Sequence, residues 1–238
     1  MAILSLKSVS FSYDSERRIF EDIDFELNEG EKIGLVGPNG CGKTTFLYIC
    51  MGILKPEKGK VFFNGRPIDS EKDLIEMRRN VGFVFQNPDD QLFCPTVLED
   101  VAFGPLNLGL SKEEAIERAK EALELVGLKG FEERLTYKLS GGEKRLVSIA
   151  TVLSMKPKAL LLDEPSTGLD PETRKRIIDL LRSFDISLLV VSHDWDFIVK
   201  TTERYYTIEN RKIVEIKRSF LHQHIHYHPA GDIPHEHL

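Results

Sequence analysis

The chain has 238 residues and a formal net charge of −6, with 29% charged and 41% hydrophobic residues. Its negative charge gives no general attraction to nucleic acid, and no apolar run approaches the roughly 18 residues that cross a bilayer. Cys41, Cys50 and Cys94 are too irregularly spaced for a disulfide framework or a metal knuckle. Because the N-terminus also lacks a secretion signal, we expect a cytosolic protein of one large domain or two small ones.

Segments near the N-terminus alternate apolar and polar residues with a period of two, and charged turns separate them, which favours an antiparallel sheet. A short apolar segment then runs into a glycine-rich loop, and a helix is expected to follow. Further along, Asn64 and Gly65 mark a turn after another strand. The predicted elements in this part are strands at 4–13, 23–27, 33–36 and 60–63 and a helix at 44–51.

After a strand at 81–85 the pattern becomes helical from about residue 95 to 153. Ser111 and Glu114 have the spacing of a capping box that opens a helix running to residue 126. Strand, helix and strand then return at 159–162, 171–182 and 187–191. This order predicts an α/β fold with a mainly parallel sheet, an N-terminal antiparallel β subdomain and an inserted α-helical subdomain at about 88–155.

Residues 37–45 read Gly-Pro-Asn-Gly-Cys-Gly-Lys-Thr-Thr, the pattern of the phosphate-binding loop in a P-loop NTPase core. Glycines let consecutive backbone N–H groups turn towards phosphate oxygens at a helix N-terminus. Lys43 is expected to reach the β- and γ-phosphates of ATP, and the Thr44 hydroxyl to bind Mg²⁺. The nucleotide ligands predicted from this loop are Gly37, Asn39, Gly40, Cys41, Gly42, Lys43, Thr44 and Thr45.

Asp163 and Glu164 follow an apolar strand and lie at its C-terminal end, where open α/β sheets place their sites. Asp163 is expected to hold Mg²⁺, directly or through water, and Glu164 to polarise the attacking water as general base. Adjacent acids at a strand end are often only surface charge. Here the apolar strand and the glycine loop together favour the catalytic interpretation.

A pentapeptide at 139–143, Leu-Ser-Gly-Gly-Glu, lies far downstream of the glycine loop. With the other motifs, in this order and over residues 3–216, it resembles the signature of the ATP-binding subunits of ABC transporters. In that family the signature caps the nucleotide of a partner subunit, which here implicates Ser140, Gly141, Gly142 and Glu143. Glu143 stands where the family more often has Gln, and a carboxylate near a triphosphate is less favourable electrostatically.

The same resemblance assigns three further site residues. Gln86 matches the glutamine that contacts Mg²⁺ and the lytic water, and His193 matches a catalytic histidine that contacts the γ-phosphate. Tyr13 matches an aromatic residue that stacks on adenine. Two of these residues have an explicit structural alternative, because an isolated histidine is more often structural and Tyr13 can equally pack on the sheet with Phe11.

Residues 166–170 resemble the family's loop that runs along the interface between the two subunits of the dimer. Asp170 before Pro171 also fits a helix N-cap.

Residues 86–93 resemble the ATPases of energy-coupling-factor importers, which take up vitamins and transition metals. This implies a peripheral protein on the cytoplasmic face of the membrane, working as a homodimer or as a heterodimer with a second ABC ATPase. Integral membrane coupling and substrate-binding subunits are the other expected partners, and nucleic acid is not. Leu92, Phe93 and Val97 are candidates for an apolar groove that receives the membrane subunit, with ordinary packing as the alternative.

The C-terminal residues 218–238 form a His-rich tail after an ATPase domain at 1–217. A tail of this composition is typically flexible. His222, His224, His226 and His228 have a spacing of two, which places them on one side of an extended chain, and imidazole suits Ni²⁺ or Co²⁺. Cobalt or nickel is therefore the leading solute for import, with a vitamin or another micronutrient as the alternative.

Two functions of other classes remain open. A soluble ABC ATPase acting on DNA or ribosomes usually carries a coiled-coil insertion or two cassettes in tandem, and this acidic chain has neither. A metal-binding regulatory protein, in which ATP hydrolysis is secondary, is supported only by the tail.

Overall fold

A computed structural model of the chain describes residues 1–14 and 17–216. The first half contains β1 (Ala2–Ser12), β2 (Arg18–Asn28), β3 (Lys32–Val36), α1 (Lys43–Cys50), β4 (Lys58–Phe63), β5 (Arg66–Pro67) and α2 (Glu71–Asn80). The second half contains β6 (Val81–Val84), α3 (Val97–Asn107), α4 (Lys112–Leu125), α5 (Gly141–Leu153), β7 (Ala159–Asp163), α6 (Pro171–Ser183), β8 (Ser187–Ser192), α7 (Trp195–Thr201), β9 (Arg204–Glu209) and β10 (Lys212–Ile216).

The strands form two sheets. An antiparallel sheet has the order β2-β1-β4-β5, which confirms the sheet predicted from the alternating N-terminal segments. The second sheet has the order β10-β9-β3-β8-β7-β6 and is parallel apart from β10, which pairs antiparallel with β9. The predicted α/β fold with a mainly parallel sheet is therefore confirmed.

Apolar cores lie on both faces of the parallel sheet. On one face, α1 packs between the two sheets, and Phe46 makes edge-to-face contacts with Phe20 and Phe25 at 6.1 and 5.0 Å between centroids. On the other face, residues of α3, α4, α5 and α6 cover the sheet. This burial on both sides explains why β7 and β8 are buried along their whole length.

Helices α3, α4 and α5 lie between β6 and β7 in the chain. Each begins with a capping box, in which a Ser or Thr side chain accepts from the N3 backbone N–H and an N3 Glu bonds back. The predicted helix after Ser111 is confirmed. Val97, however, is fully buried and belongs to the core. It cannot line a surface groove, because the first turn of α3 directs it inwards.

The topology places the functional motifs at one edge. Strands β3, β6, β7 and β8 run parallel, so their carboxyl ends meet at the same side of the sheet. The glycine loop follows β3, Gln86 follows β6, Glu164 follows β7 and His193 follows β8. Ligands of open α/β sheets bind at this edge.

Candidate active site

The ends of these strands surround a cavity of about 410 Å³. The sequence-predicted residues that line it are Tyr13, Asn39, Gly40, Gly42, Lys43, Thr44, Thr45, Gln86, Asp163 and Glu164. Arg17 and Ile19 line it as well and were not predicted. Both follow a charged turn that carries no nucleotide-binding motif, so nothing local marks them.

Backbone N–H groups at the start of α1 have no side-chain cap. The helix follows Gly42, whose φ of +112° lies in the range that favours glycine. A Cβ at this position would lie 2.7 Å from Cγ2 of Ile19, so the glycine is required for space as well as for conformation. An uncapped helix N-terminus that opens on a cavity is suited to bind an anion such as a phosphate.

The ammonium group of Lys43 lies inside this loop. It donates to the carbonyl oxygens of Gly37 and Pro38 at 2.8 and 3.1 Å. It also lies 3.7 Å from Oε1 of Glu164, and both side chains are buried. A buried cation that contacts the loop and a carboxylate at the end of β7 connects two of the predicted motifs directly.

Thr44 and Asp163 form the second connection between these motifs. The Thr44 hydroxyl donates to Oδ2 of Asp163 at 2.7 Å. Oδ1 of Asp163 is buried and has no hydrogen-bond partner among the described residues. Burial raises the pKa of Asp163 above its ordinary range, an effect that a bound cation would oppose. A hydroxyl in the first turn of α1 and an unpartnered carboxylate oxygen beside it fit the oxygen preference of Mg²⁺.

Glu164 is 4% exposed and its carboxylate is surrounded by donors. It accepts from the Ser192 hydroxyl at 3.0 Å and from the backbone N–H of His193 at 3.1 Å. Its backbone has a φ of +46°, the left-handed region that residues other than glycine rarely adopt. An unfavourable backbone conformation that holds a buried carboxylate at the edge of a cavity is typical of a functional position.

Nδ1 of His193 lies 2.8 Å from Oε2 of Glu164. An ionised carboxylate only accepts hydrogen bonds, so Nδ1 carries the proton in this arrangement. Nε2 of a neutral ring is then an acceptor, and it donates to a phosphate oxygen only when the ring is doubly protonated. The side chain is 54% exposed, and His193 contacts Glu164 but does not itself line the cavity.

Gln86 is exposed and is one of the residues that line the cavity. Its backbone is held by Arg145 of α5, which donates to the carbonyl oxygens of Phe85 and Gln86. Arg145 is 2% exposed, and burial lowers its pKa to about 10. Sequence reasoning missed this residue, because the contact joins positions far apart in the chain and depends on how α5 packs against β6.

Residues of the signature form the N-terminus of α5 but do not line the cavity. Ser140 caps the helix and makes a capping box with Glu143. A Cβ at Gly142 would lie 2.9 Å from Oγ1 of Thr173 on α6, whereas one at Gly141 would meet no atom within 4 Å. Gly142 is therefore needed for packing against α6, and Gly141 faces open space.

Tyr13 is half-exposed, and its hydroxyl lies 3.0 Å from Oγ1 of Thr45. The guanidinium of Arg17 lies 5.7 Å from the centre of its ring. Phe11 is buried and meets Tyr13 edge to face. Of the two aromatic residues at the end of β1, only Tyr13 presents a ring to the cavity.

The ABC transporter family matches residues 20–167, more than half of the chain. This chain belongs to that family. A putative ABC transporter ATP-binding protein of Nitratidesulfovibrio vulgaris is 50% identical over 236 residues, covering 99% of this chain and 86% of the relative. The energy-coupling factor transporter ATP-binding protein EcfA of Methanothermobacter thermautotrophicus is 46% identical over 216 residues, covering 89% and 70% respectively. The chain is an ABC ATPase coupled to transport.

Solved structures of the family have the same fold. The cbiO1 protein of Clostridium perfringens, part of the ABC transporter complex cbiONQ, superimposes with a TM-score of 0.81 at 34% identity, covering 90% of this chain and 87% of that protein. A dimeric ATP-binding cassette in a post-hydrolysis state, bound to ADP and phosphate, gives 0.82 at 29% identity, covering 90% and 98%. The predicted ABC ATPase fold is confirmed.

Other predicted ligands of this ABC ATPase lie apart from the cavity lining. Cys41 is part of the loop, but its side chain packs against the apolar core. Gly37 contributes its carbonyl oxygen to Lys43. The tail histidines at 222, 224, 226 and 228 lie outside the described residues, and among the described residues no group of three or more His, Cys, Asp or Glu side chains is arranged to hold a metal. None of the described helices has the length and apolar character that a membrane span requires.

Proposed function

We propose that this chain is the ATP-hydrolysing subunit of an energy-coupling-factor type importer and that it acts as a dimer. The observation that carries the proposal is the convergence of Lys43, Thr44, Asp163 and Glu164 on one cavity, with the α5 signature helix bonded to the adjacent Gln86 loop. The similarity to EcfA supports the type of transporter.

ATP is proposed to bind with its phosphates at the N-terminus of α1. Lys43 would exchange its loop carbonyls for the β- and γ-phosphates, and the uncapped N–H groups of α1 would bind phosphate oxygens. The adenine would stack on Tyr13, with Arg17 beside it. The remaining proposed contacts come from the loop residues Gly37, Asn39, Gly40, Cys41, Gly42 and Thr45.

Mg²⁺ is proposed to bind between Thr44 and Asp163, with Gln86 as a further oxygen ligand. The unpartnered Oδ1 of Asp163 supports this position. When bound, Mg²⁺ would neutralise the charge of the phosphates. Because Thr44 and Asp163 are already hydrogen-bonded, the two ligands keep a fixed separation before the cation binds.

Glu164 is proposed to orient the attacking water and accept its proton. Its hydrogen bonds from Ser192 and His193 fix the carboxylate in position, which is the requirement for a general base. A doubly protonated His193 would donate from Nε2 to the γ-phosphate while Nδ1 keeps its hydrogen bond to Glu164. Gln86 would contact the same water from the end of β6.

The second chain of the dimer is proposed to complete each site with its signature. Gly141 faces open space at the N-terminus of α5, so a phosphate bound to the partner has room to approach. Ser140, Gly142 and Glu143 shape this end of the helix. A homodimer is the simplest form, because one chain carries both halves of the site; a heterodimer with a second ABC ATPase is the alternative.

A surface of aromatic and aliphatic side chains supports a membrane partner. Phe93, Phe103 and Leu106 are 66%, 45% and 46% exposed. Phe93 and Phe103 meet edge to face at 4.8 Å. We propose that this α3 surface binds the integral membrane coupling subunit, which would hold the chain on the cytoplasmic face of the membrane beside the substrate-binding subunit.

Cobalt or nickel is the solute that we propose for this importer, with a vitamin or another micronutrient as the alternative. The histidines of the tail at 218–238 and the resemblance of residues 86–93 to the ATPases of energy-coupling-factor importers support a transition metal. We also propose that residues 1–217 form the ATPase domain, with the helical subdomain at about 88–155.

Assembly with the membrane subunits tests the proposed function. The chain should be extracted from membranes with an integral membrane protein when both are produced together, and ATP hydrolysis should require dimerisation. A chain that hydrolyses ATP as a monomer, or that stays in the soluble fraction beside its proposed partner subunits, would contradict the proposal.

A further inference from the structure

The N-terminus of α5 carries a negative charge close to the point where the proposed dimer would receive a phosphate. Oε2 of Glu143 accepts from the backbone N–H and the hydroxyl of Ser140 at 2.8 and 2.9 Å. Bonds from Ser140 also lower the pKa of Glu143, so the carboxylate is charged near neutral pH. The Ser140 hydroxyl is thereby directed at Glu143, and a phosphate would have to compete for it.

Arg134 lies directly against this carboxylate. Its Nη1 is 3.2 Å from Oε1 of Glu143, and its guanidinium lies 3.6 Å from the centre of the Phe131 ring. The backbone carbonyl of Arg134 accepts from the N–H of Val97 at 3.0 Å. The Phe131 ring and the backbone bond to Val97 therefore fix Arg134 in the segment before α5, with its guanidinium beside Glu143.

We propose that Arg134 is a positioning residue that neutralises Glu143, so that the N-terminus of α5 can receive the phosphate of a nucleotide bound to a second chain. The inference rests on the proposed function, because it requires α5 to face the nucleotide of the partner. Repulsion between Glu143 and a triphosphate would oppose closure of the dimer. A cation in contact with the carboxylate reduces that repulsion and leaves the Ser140 hydrogen bonds in place.

Two other roles for Arg134 make different predictions. The side chains of Arg134 and Glu143 are 53% and 30% exposed, and ion pairs of this kind contribute little to stability because water screens them. If the pair were merely structural, Glu143→Gln alone would weaken the dimer as much as Arg134→Gln, because either change breaks the pair, whereas neutralisation of Glu143 predicts no loss from Glu143→Gln. A direct phosphate ligand would lose the same affinity whether or not Glu143 is present.

The test is a double-mutant cycle in a Glu164→Gln parent, with the dissociation constant of the ATP-bound dimer measured by analytical ultracentrifugation. Arg134→Gln should weaken the dimer about five- to tenfold, because each dimer contains two copies of the pair. In a chain that also carries Glu143→Gln, the same change should cost less than about twofold. Arg134→Lys, which keeps the charge, should retain most of the affinity.

Lys60→Gln is the matched control. Lys60 pairs with Asp69 at 2.8 Å, with both side chains 54% exposed, and β4 lies in the antiparallel sheet. Its removal should leave dimerisation unchanged. An equal loss from Arg134→Gln in both backgrounds, no loss in either, or a loss of the same size from Glu143→Gln alone would overturn the inference alone. Failure of the parent to dimerise with ATP would overturn the proposed function and this inference together.

Discussion

Arg145 of α5 donates to the carbonyl oxygen of Phe85 at 2.6 Å, so the helix that begins with the signature is bonded to the loop that carries Gln86. A second nitrogen of the guanidinium bonds to the carbonyl of Gln86 itself. Charge-assisted bonds of this kind are about twice as strong as neutral ones. Any displacement of α5 must therefore carry the Gln86 loop with it or break both bonds.

Arg145→Met should lower the free energy of unfolding by about 2 kcal/mol, because two backbone carbonyls lose their donor. ATP hydrolysis should fall more than ATP binding, since Gln86 loses its support while Lys43 and α1 are untouched. Chemical denaturation and steady-state kinetics measure the two effects. Lys144→Gln on the same helix is the control. Lys144 pairs with Asp89, whose side chain is 63% exposed, and loss of this ion pair should cost less than about 0.5 kcal/mol. Unchanged hydrolysis in Arg145→Met would contradict the coupling.

Glu164→Gln should preserve ATP binding and slow hydrolysis by about 10²–10⁴-fold, the usual contribution of a general base. The amide can still accept from Ser192 and His193, so the local structure should persist. Because ATP stays bound and is not hydrolysed, the Glu164→Gln variant should form an ATP-dependent dimer, which size-exclusion chromatography detects. Glu172→Gln, at an exposed position on α6, is the control. Hydrolysis at the unsubstituted rate would show that another group takes the proton.

Asp100→Asn should stabilise the protein at pH 7. Asp100 is 3% exposed, its Oδ1 accepts from the backbone N–H groups of Phe93 and Cys94, and burial raises its pKa. Because the pKa of Asp100 is raised, its carboxyl group holds the proton more tightly in the folded chain than in the unfolded chain. The unfolding free energy therefore falls as pH rises from the ordinary Asp range through the folded pKa.

The amide of Asn has no such titration and can still accept from both N–H groups. Denaturation curves should therefore separate Asp100→Asn from the unsubstituted protein most at pH 7 and bring them together near pH 4. A less stable Asn variant at pH 7 would contradict the prediction; it would mean that the two N–H groups require a charged acceptor or that the amide N–H₂, in the place of the buried and unpartnered Oδ2, finds no acceptor.

Phe93→Ser combined with Phe103→Ser should abolish assembly with the membrane subunit and leave ATP binding intact. Both rings are exposed and touch each other, so their removal creates no buried cavity and Tm should change little. Extraction of the co-produced complex from membranes measures the effect. Leu125→Ser, at a 61% exposed position on α4, is the matched apolar control. Normal assembly of the double variant would exclude this surface as the docking site.

Deletion of residues 219–238 should leave basal ATP hydrolysis nearly unchanged and weaken Ni²⁺ or Co²⁺ binding. The tail holds six of the seven histidines of the chain, and the described residues contain no alternative metal cluster. Isothermal titration calorimetry of the full chain and the shortened chain measures the difference. An identical isotherm would remove the tail from the case for a metal solute.

Local sequence predicted most of the strands and most of the residues that line the cavity, because these depend on short-range chemistry. The capping box at Ser111 opens α4, and the glycine loop opens α1, as the pattern indicated. Helix α2 was missed although Ser70 and Asp73 form the same kind of box. Its apolar face is narrow, with Met77 alone buried, so the periodicity that marks a helix is weak.

Contacts between distant segments could not be predicted in this way. No local pattern around Arg145 predicts its contact with Phe85 and Gln86, because that contact depends on the packing of α5 against β6. Val97 reads as a candidate surface residue but lies in the core. The pairing of Arg134 with Glu143 likewise depends on how the segment before α5 folds back beside that helix.

The left-handed backbone of Glu164 has a consequence for protein engineering. Glycine would relieve that conformation at no steric cost, whereas glutamate adopts it with a penalty of about 1 kcal/mol. Glu164→Gly would remove that penalty, but it would also remove the acceptor of the Ser192 hydroxyl and of the His193 N–H, so the lost hydrogen bonds oppose the backbone gain. Relief of the backbone at this position therefore brings no ready gain in heat resistance, and a robust variant must draw its stability from elsewhere in the fold.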